Sequence, residues 1–262
     1  MSNETYMTLA KRLVQPVRDA GKEIMQIHAA GVVADTKADG SPVTMADEAA
    51  EAILLHALRE MAPDIAVISE ENAESHRLAP PDRFFLVDPL DGTKEFLRPD
   101  GQGAFTVNIG LVEMGVPVMG IVYAPALDRL FYGAVGQGAT EMSAGNVRDI
   151  GVRPVPASGA IAVASRSHRD AATNQWLETH GINDTIATGS SLKFCLVAAG
   201  EADVYPRFGP TMEWDTAAGD AVLRAAGGRV IHPEGMPFTY GKTEYRNGRF
   251  VACGAFVPNA VG

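Results

Sequence analysis

The sequence predicts a mixed α/β fold in which helices and sheets are layered into a sandwich, and three observations carry that reading. The chain opens on amphipathic helices, passes into a run of apolar, glycine-punctuated strands, and beyond residue 160 alternates helical and strand segments. With 262 residues, 46% of them hydrophobic and 21% charged, it can bury a real core. A chain of this length hides roughly 70–75% of its unfolded surface, so neither disulfides nor a structural metal are needed merely to fold.

Taken in order, Leu9, Leu13, Val17, Ala20, Ile24 and Ile27 recur at helical spacing and predict a helix over Thr5 to Ala30, with a kink or late start at Pro16. Lys37 to Pro42 reads as a loop. Thr44 can cap a second helix whose buried stripe is Ile53, Leu54, Ala57, Leu58 and Met61, ending before Pro63. Strand signals follow at Ile65 to Ser69, Phe84 to Asp88, Phe105 to Glu113, Val116 to Tyr123 and Leu130 to Val135, so a mainly antiparallel sheet is expected. Past Ala160 come a strand at Ile161 to Ala164, helices near Ala171 to His180 and Ser191 to Ala199, and a strand at Ala202 to Tyr205. A helix from Asp215 to Ala226 is then punctuated by Gly227 and Gly228 before a strand at Arg229 to Ile231. Val152 to Gly159 carries two prolines and is the boundary candidate. It divides an N-terminal α+β subdomain, 1–152, holding most of the candidate acids, from a C-terminal α/β subdomain, 153–262, holding Asp215 and the substrate contacts.

The formal charge of −10, from 32 acidic and 22 basic residues, argues against a nucleic-acid polymer or an anionic membrane surface as main partner. An anionic ligand therefore needs local basic help. Two cysteines, Cys195 and Cys253, form neither a disulfide framework nor a zinc spacing, which fits a reducing, cytoplasmic compartment. No secretory h-region and no apolar run near 18 residues is present, so a transmembrane segment is not expected. Peripheral attachment at an inner membrane face stays open, as do monomer and homodimer.

The segment Phe85 to Phe96 carries the chemistry. An apolar strand delivers Asp88, and a sharp turn then lets Asp88, the Leu90 carbonyl and Asp91 face one point. Such a set suits a hard cation such as Mg2+, which takes oxygen ligands and keeps several waters. The competing reading is a plain turn, because Asp-Pro and Asp-Gly are common turn dipeptides. Glu70, just beyond a strand, and Asp215, opening a helix, shift the balance, although the first could be a solvated loop acid and the second an N-cap. Four carboxylates gathered together repel by several kcal/mol per close pair at an effective dielectric of about 20, and cations relieve that repulsion. Thr44 and Asp47 fit a capping box. Asp47 could also accept from the Thr93 hydroxyl and orient it toward a nucleophilic water, while the Gly92 and Thr93 N–H groups could hold a phosphate.

These blocks in this order resemble the Mg2+-dependent, lithium-sensitive inositol monophosphatase superfamily: Asp47, Glu70, Asp88-Pro89-Leu90-Asp91-Gly92-Thr93, then Trp214-Asp215 followed by Ala217-Ala218-Gly219. Asp88 to Phe96, Ser165 to His168, Ser190 to Val197 and Tyr205 to Thr211 are similar to its CysQ-type 3'(2'),5'-bisphosphate nucleotidase branch, and the similarity runs from about Lys37 to Gly228. The resemblance implies an alternating αβαβα sandwich and hydrolysis of 3'-phosphoadenosine 5'-phosphate to AMP and phosphate, clearing a by-product of sulfur assimilation. It implies two or three Mg2+ per site: one on Glu70, Asp88 and the Leu90 carbonyl, a second on Asp88, Asp91 and Asp215, and a weaker one held by Glu70 through water. Thr93 with Asp47 would assist the nucleophile. Substrate contacts would fall on Leu90, Asp91, Gly92, Thr93, Ser191 and Asp215. For the phosphate that is not cleaved, Lys193 and Arg207 are the basic candidates, with Arg166 and His168 behind them, against plain structural roles for each. Trp214 is expected to pack in the core rather than to stack on adenine.

Two other functions compete. An inositol or sugar phosphate monophosphatase would share every metal ligand, and Lys193 and Arg207 argue against it. A noncatalytic nucleotide or metal sensor could keep the acids but has no need of Thr93 paired with Asp47. A purely structural module explains none of the carboxylate spacing.

Overall fold

The computed structural model describes residues 5–31, 34–36, 42–98, 103–165 and 170–258; the loop expected from Lys37 lies outside them as far as residue 41. Helix α1, Tyr6–Ala30, is capped by Thr5 and carries Pro16 inside it. Strands β1 (Ala34–Thr36) and β2 (Pro42–Thr44) pair antiparallel and lead into α2, Met45–Met61. There the Thr44 and Asp47 side chains reciprocally satisfy the free N–H groups of the first turn, the capping box expected from the sequence.

Seven strands follow: β3 (Ala66–Ser69), β4 (Arg83–Asp91), β5 (Thr106–Glu113), β6 (Val116–Ala124), β7 (Arg129–Ala134), β8 (Gly138–Ser143) and β9 (Asn146–Ile150), with a single turn, α3 (Thr93–Phe96), between β4 and β5. They form one sheet in sequence order, antiparallel except for the β3–β4 pair. Successive residues of β4 face opposite layers, as a period of two requires. Phe85 and Val87 meet Leu13, Val17, Leu54 and Leu58 of α1 and α2, whereas Phe84 and Leu86 belong to the core on the other side. Because both faces are covered, the central strands are continuously apolar.

The rest of the chain runs β10 (Ile161–Ser165), α4 (Ala171–Thr179), β11 (Asp184–Thr188), α5 (Leu192–Ala198), β12 (Val204–Arg207), β13 (Thr211–Met212), α6 (Ala217–Ala225), β14 (Arg229–Ile231), β15 (Arg246–Asn247) and β16 (Phe250–Cys253). A five-stranded sheet of order β11-β10-β12-β16-β14 results. Phe194 of α5 and Val222 and Leu223 of α6 share a core with Phe84 and Phe131 of the first sheet and with Tyr205 and Phe250 of the second. Trp176 and Leu177 of α4 cover the far face of the second sheet. The layers are thus α1 and α2, seven strands, α5 and α6, five strands, α4: the expected αβαβα sandwich.

The structure departs from the sequence reading at some elements. Strands β8 and β9 have no apolar alternation to announce them; β9 is an exposed edge strand, joined to β8 by a tight turn in which Ala144 and Gly145 both have positive φ. Likewise β11 is mostly exposed, while β16 is a short, fully buried run. The helix expected from Asp215 begins at Ala217, with Thr216 at its cap position. Its first turn lies close on the sheet: a Cβ on Gly110 would stand 2.8 Å from the Ala217 Cβ, and one on Gly120 would overlap the Ala218 carbonyl. Gly110 and Gly120 are cross-strand partners on β5 and β6, so a glycine pair meets an alanine pair and lets the residues just before α6 reach the end of β4. Among the described residues no helix is long and apolar enough to cross a membrane.

Candidate active site

Asp88 and Asp91 are three residues apart, an odd spacing that points side chains to opposite faces of a regular strand. A bulge removes the conflict: Asp88 pairs with Asn108 and Asp91 with Thr106, so Pro89 and Leu90 oppose Val107 alone. Pro89, lacking an N–H, sits where the ladder is already interrupted. Asp88 is fully buried; its Oδ1 accepts the Leu90 N–H at 3.0 Å, and among the described residues its Oδ2 has no hydrogen-bond partner.

Glu70 is brought alongside by the parallel pairing of β3 with β4, its N–H donating to the Val87 carbonyl at 3.0 Å. Asp215 arrives from the other half of the chain. Its carboxylate is not an N-cap for α6; Oδ2 accepts the Met212 N–H at 2.8 Å. Glu70, Asp88 and Asp215 each offer a carboxylate oxygen, all within 4.8 Å of one another. Burial, then the charges of Glu70, Asp91 and Asp215, push the Asp88 carboxyl well above the usual carboxylate range. Asp215 is pushed up by burial and by the charges of Asp91 and Glu70. Burial also raises Asp91, against the opposing pull of Lys193 and of the Ser191 N–H. A buried carboxylate oxygen without a donor, inside an all-oxygen acidic cluster, has the chemistry of a hard-cation site, and the residues present fit one.

Thr93 opens α3, preceded by Gly92 in the left-handed conformation (φ 93°). The Thr93 hydroxyl stands between Asp47 Oδ1 at 3.5 Å and the Leu90 carbonyl at 3.3 Å, both long contacts. Asp47 Oδ2 is taken by the Thr44 N–H and hydroxyl at 2.8 and 2.7 Å, so its cap role and its contact with Thr93 use different oxygens.

A cavity of about 210 Å³ opens over these groups, lined by Glu70, Asp91, Thr93 and Asp215 together with Lys193 and Arg207. Lys193, on α5, is buried; its ammonium donates to the Ser190 carbonyl at 2.6 Å and lies 5.1 Å from the Tyr205 ring centroid. Burial lowers it to about 8, partly offset by the Asp91 charge. Arg207, at the end of β12, donates to the Gly209 and Pro210 carbonyls at 3.3 and 3.1 Å. These bonds hold the guanidinium beside the cavity.

Ser191 differs from its expected role at the substrate. Its N–H and hydroxyl donate to Asp91 Oδ2 at 2.7 and 3.3 Å, and the hydroxyl lies 2.6 Å from the Asp215 carbonyl. It is almost fully buried and braces the acids from behind. Arg166 and His168 lie outside the described residues. Trp214 is buried as expected, stacked on His76. Lys94, Glu95, Ser190 and Tyr205 are among the further lining residues to which the sequence assigned no role. Ser190 holds a left-handed backbone (φ 48°), for which a serine gives no sequence signal.

The chain matches the inositol monophosphatase family over residues 5–252. It is 46% identical over 232 residues to the 3'(2'),5'-bisphosphate nucleotidase CysQ of Escherichia coli O157:H7, covering 87% of this chain and 92% of that one. Identity to the CysQ of Salmonella typhimurium is also 46%, over 235 residues, 88% of this chain and 94% of that one. The crystal structure of CysQ from Bacteroides thetaiotaomicron, a bacterial member of the inositol monophosphatase family, superposes with a TM-score of 0.79 at 38% identity, covering 95% of this chain and 98% of that one.

Proposed function

The chain belongs to the inositol monophosphatase family, and from that premise we propose that its cavity works as a nucleotide bisphosphatase site. The enzyme is a 3'(2'),5'-bisphosphate nucleotidase: it takes 3'-phosphoadenosine 5'-phosphate and water to AMP and phosphate. The observation that carries the assignment of residues is one cavity lined both by acids at the bulge of β4 and by the cations Lys193 and Arg207.

Glu70, Asp88, Asp215, Asp91 and the Leu90 carbonyl are the oxygens to hold Mg2+, two or three ions per site. Mg2+ held there would neutralise the acids so that a phosphate can approach, and would supply Lewis-acid chemistry at its oxygens. Thr93 directs its hydroxyl hydrogen toward Asp47 and its lone pairs toward the attacking water; as the new P–O bond forms and the bond to the 3'-oxygen breaks, the water's proton passes by way of Thr93 to Asp47, and solvent water protonates the leaving 3'-oxygen. Lys193 and Arg207 hold the 5'-phosphate, fixing which of the two phosphates meets the acids. Ser191 keeps Asp91 and the Asp215 backbone in register.

Phosphate release from 3'-phosphoadenosine 5'-phosphate, AMP and inositol 1-phosphate, each with Mg2+ and with EDTA, tests the reading. The bisphosphate should be preferred, and EDTA should abolish turnover reversibly. Preference for inositol 1-phosphate would place the protein among the monophosphatases, and no turnover of any substrate would favour a sensor. Within the same panel, Arg207→Ala should lower kcat/KM for the bisphosphate about tenfold or more, since a charge-assisted contact contributes about 1.5–3 kcal/mol and 1.36 kcal/mol is a decade. Inositol 1-phosphate, with no second phosphate, should lose little; equal losses on both substrates would refute the contact.

Lys193 makes the reaction pH-dependent. An amine lowered to about 8 keeps its charge below that pH and loses it above. The kcat/KM for the bisphosphate should therefore fall on the alkaline side of pH 8. Lys193→Met should start lower and lack that limb, and an unchanged profile in the variant would assign the limb to another group.

A further inference from the structure

Glu70 and Asp215 reach the cation site from segments far apart in sequence, and four neighbouring carboxylates drive those segments apart until positive charge arrives. Something in the protein must hold them. We propose that His76 is the positioning residue that sets the separation of Glu70 and Asp215, a role that rests on the cation reading of the site above.

Two contacts of one ring carry this. His76 Nε2 lies 2.8 Å from the carbonyl of Ser69, the residue before Glu70. The same ring stacks on Trp214, the residue before Asp215, at 4.7 Å between centroids and 21° between planes. A carbonyl only accepts, so Nε2 carries the proton in this contact. The imidazole thus holds the backbone behind one acid and the side chain behind another.

The turn that presents His76 is built locally. Ser75 Oγ donates to the Asn72 carbonyl at 2.6 Å and accepts the Ser69 N–H at 3.1 Å, folding 69–75 back so that the 3-10 turn Ser75–Arg77 lies against the end of β3. The second segment is pinned to the same turn: Tyr245 donates its hydroxyl to the Leu78 carbonyl at 2.9 Å, and its own carbonyl accepts the Glu213 N–H at 2.8 Å. Tyr245 also stands beside Trp214, 6.4 Å between centroids. Trp214 is 5% exposed, so its ring moves only if its neighbours do.

Groups behind metal ligands commonly change metal affinity by ten- to a hundredfold when removed. The test is Mn2+ binding to the EDTA-stripped and dialysed full-length protein, read by the electron paramagnetic resonance signal of free Mn2+, beside the Mg2+ dependence of turnover. His76→Ala should weaken Mn2+ by tenfold or more and raise the Mg2+ needed for half-maximal rate to match, with KM for the bisphosphate at saturating Mg2+ within about twofold of wild type. His76→Gln, whose amide can still donate to the Ser69 carbonyl, should recover a measurable part of the affinity, and it replaces the alanine variant should that not fold. Wild-type Mn2+ affinity in His76→Ala, or a fall in kcat with unchanged metal dependence, would overturn the role of His76 alone. A wild-type protein that binds no Mn2+ would overturn the cation reading and this proposal with it.

Discussion

Asp88→Asn should abolish turnover and at the same time raise the melting temperature of the metal-free protein. The loss follows from geometry, since Asp88 is the fully buried acid of the cluster, with one oxygen that finds no donor among the described residues. A neutral amide oxygen is a far weaker ligand for a hard cation, and losing the Lewis acid removes several kcal/mol of transition-state stabilisation, about a thousandfold in kcat at 1.36 kcal/mol per decade. The gain follows from electrostatics. Burial and three acidic neighbours hold the folded-state carboxyl well above its ordinary range. A carboxylate whose folded pKa is raised costs nothing when protonated in both states, and destabilises the fold increasingly as pH rises above the unfolded value. Asparagine keeps an oxygen for the Leu90 N–H and offers its amide to Glu70 or Asp215. The advantage of Asp88→Asn should therefore vanish in acid and grow toward neutral pH, at roughly 2–4 °C per kcal/mol for a chain of this size class. In saturating Mg2+ the order should invert, because only the wild type gains stability from binding. Melting curves with EDTA and with Mg2+ would show both effects. A metal-free Asp88→Asn protein melting below wild type, or one that retains near wild-type kcat, would refute the account.

Thr93→Ala should separate chemistry from binding. The hydroxyl sits between Asp47 Oδ1 and the Leu90 carbonyl, at 3.5 and 3.3 Å. Deleting it leaves the acids and the backbone turn in place. If it orients the water, kcat should fall by about 10²–10⁴, the usual contribution of a positioned proton-transfer group. Mn2+ affinity should stay within a few-fold of wild type. Thr93→Ser, which returns the hydroxyl without the methyl, should restore most of the rate. Unchanged kcat in the alanine variant would leave Thr93 as a turn residue and revive the sensor reading.

Much of the architecture was legible because local rules and tertiary demands agree. The stripe Leu9, Leu13, Val17, Ala20 and Ile24 of α1 is buried as its spacing requires. The Thr44 cap, the continuously apolar central strands and the glycine punctuation of the hairpins all carry their own chemistry. Where agreement fails, the reading failed with it. Strands β9 and β11 pair along exposed edges, and an edge strand needs no buried face to be stabilised by its ladder. Ser191 shows the same limit at the site, since a serine at the start of a helix reads equally as a cap, a ligand contact or a brace, and only its bonds to Asp91 and Asp215 distinguish them.

By itself the sequence determined which residues could do chemistry: an acid-rich turn after an apolar strand, two further acids at element ends, a hydroxyl beside them, and two isolated cations in a negative chain. Only the tertiary structure decided which of these meet. The odd spacing of Asp88 and Asp91 becomes a shared face through a bulge that exists only in the register of β4 against β5. Asp215 reaches Glu70 because a glycine pair on the sheet admits the start of α6. His76 gains meaning from the Ser69 carbonyl and the Trp214 ring it touches, which no spacing along the chain encodes. The physical reason is common to all three: residue type sets what a side chain can do, whereas distance between segments is set by packing of the whole chain.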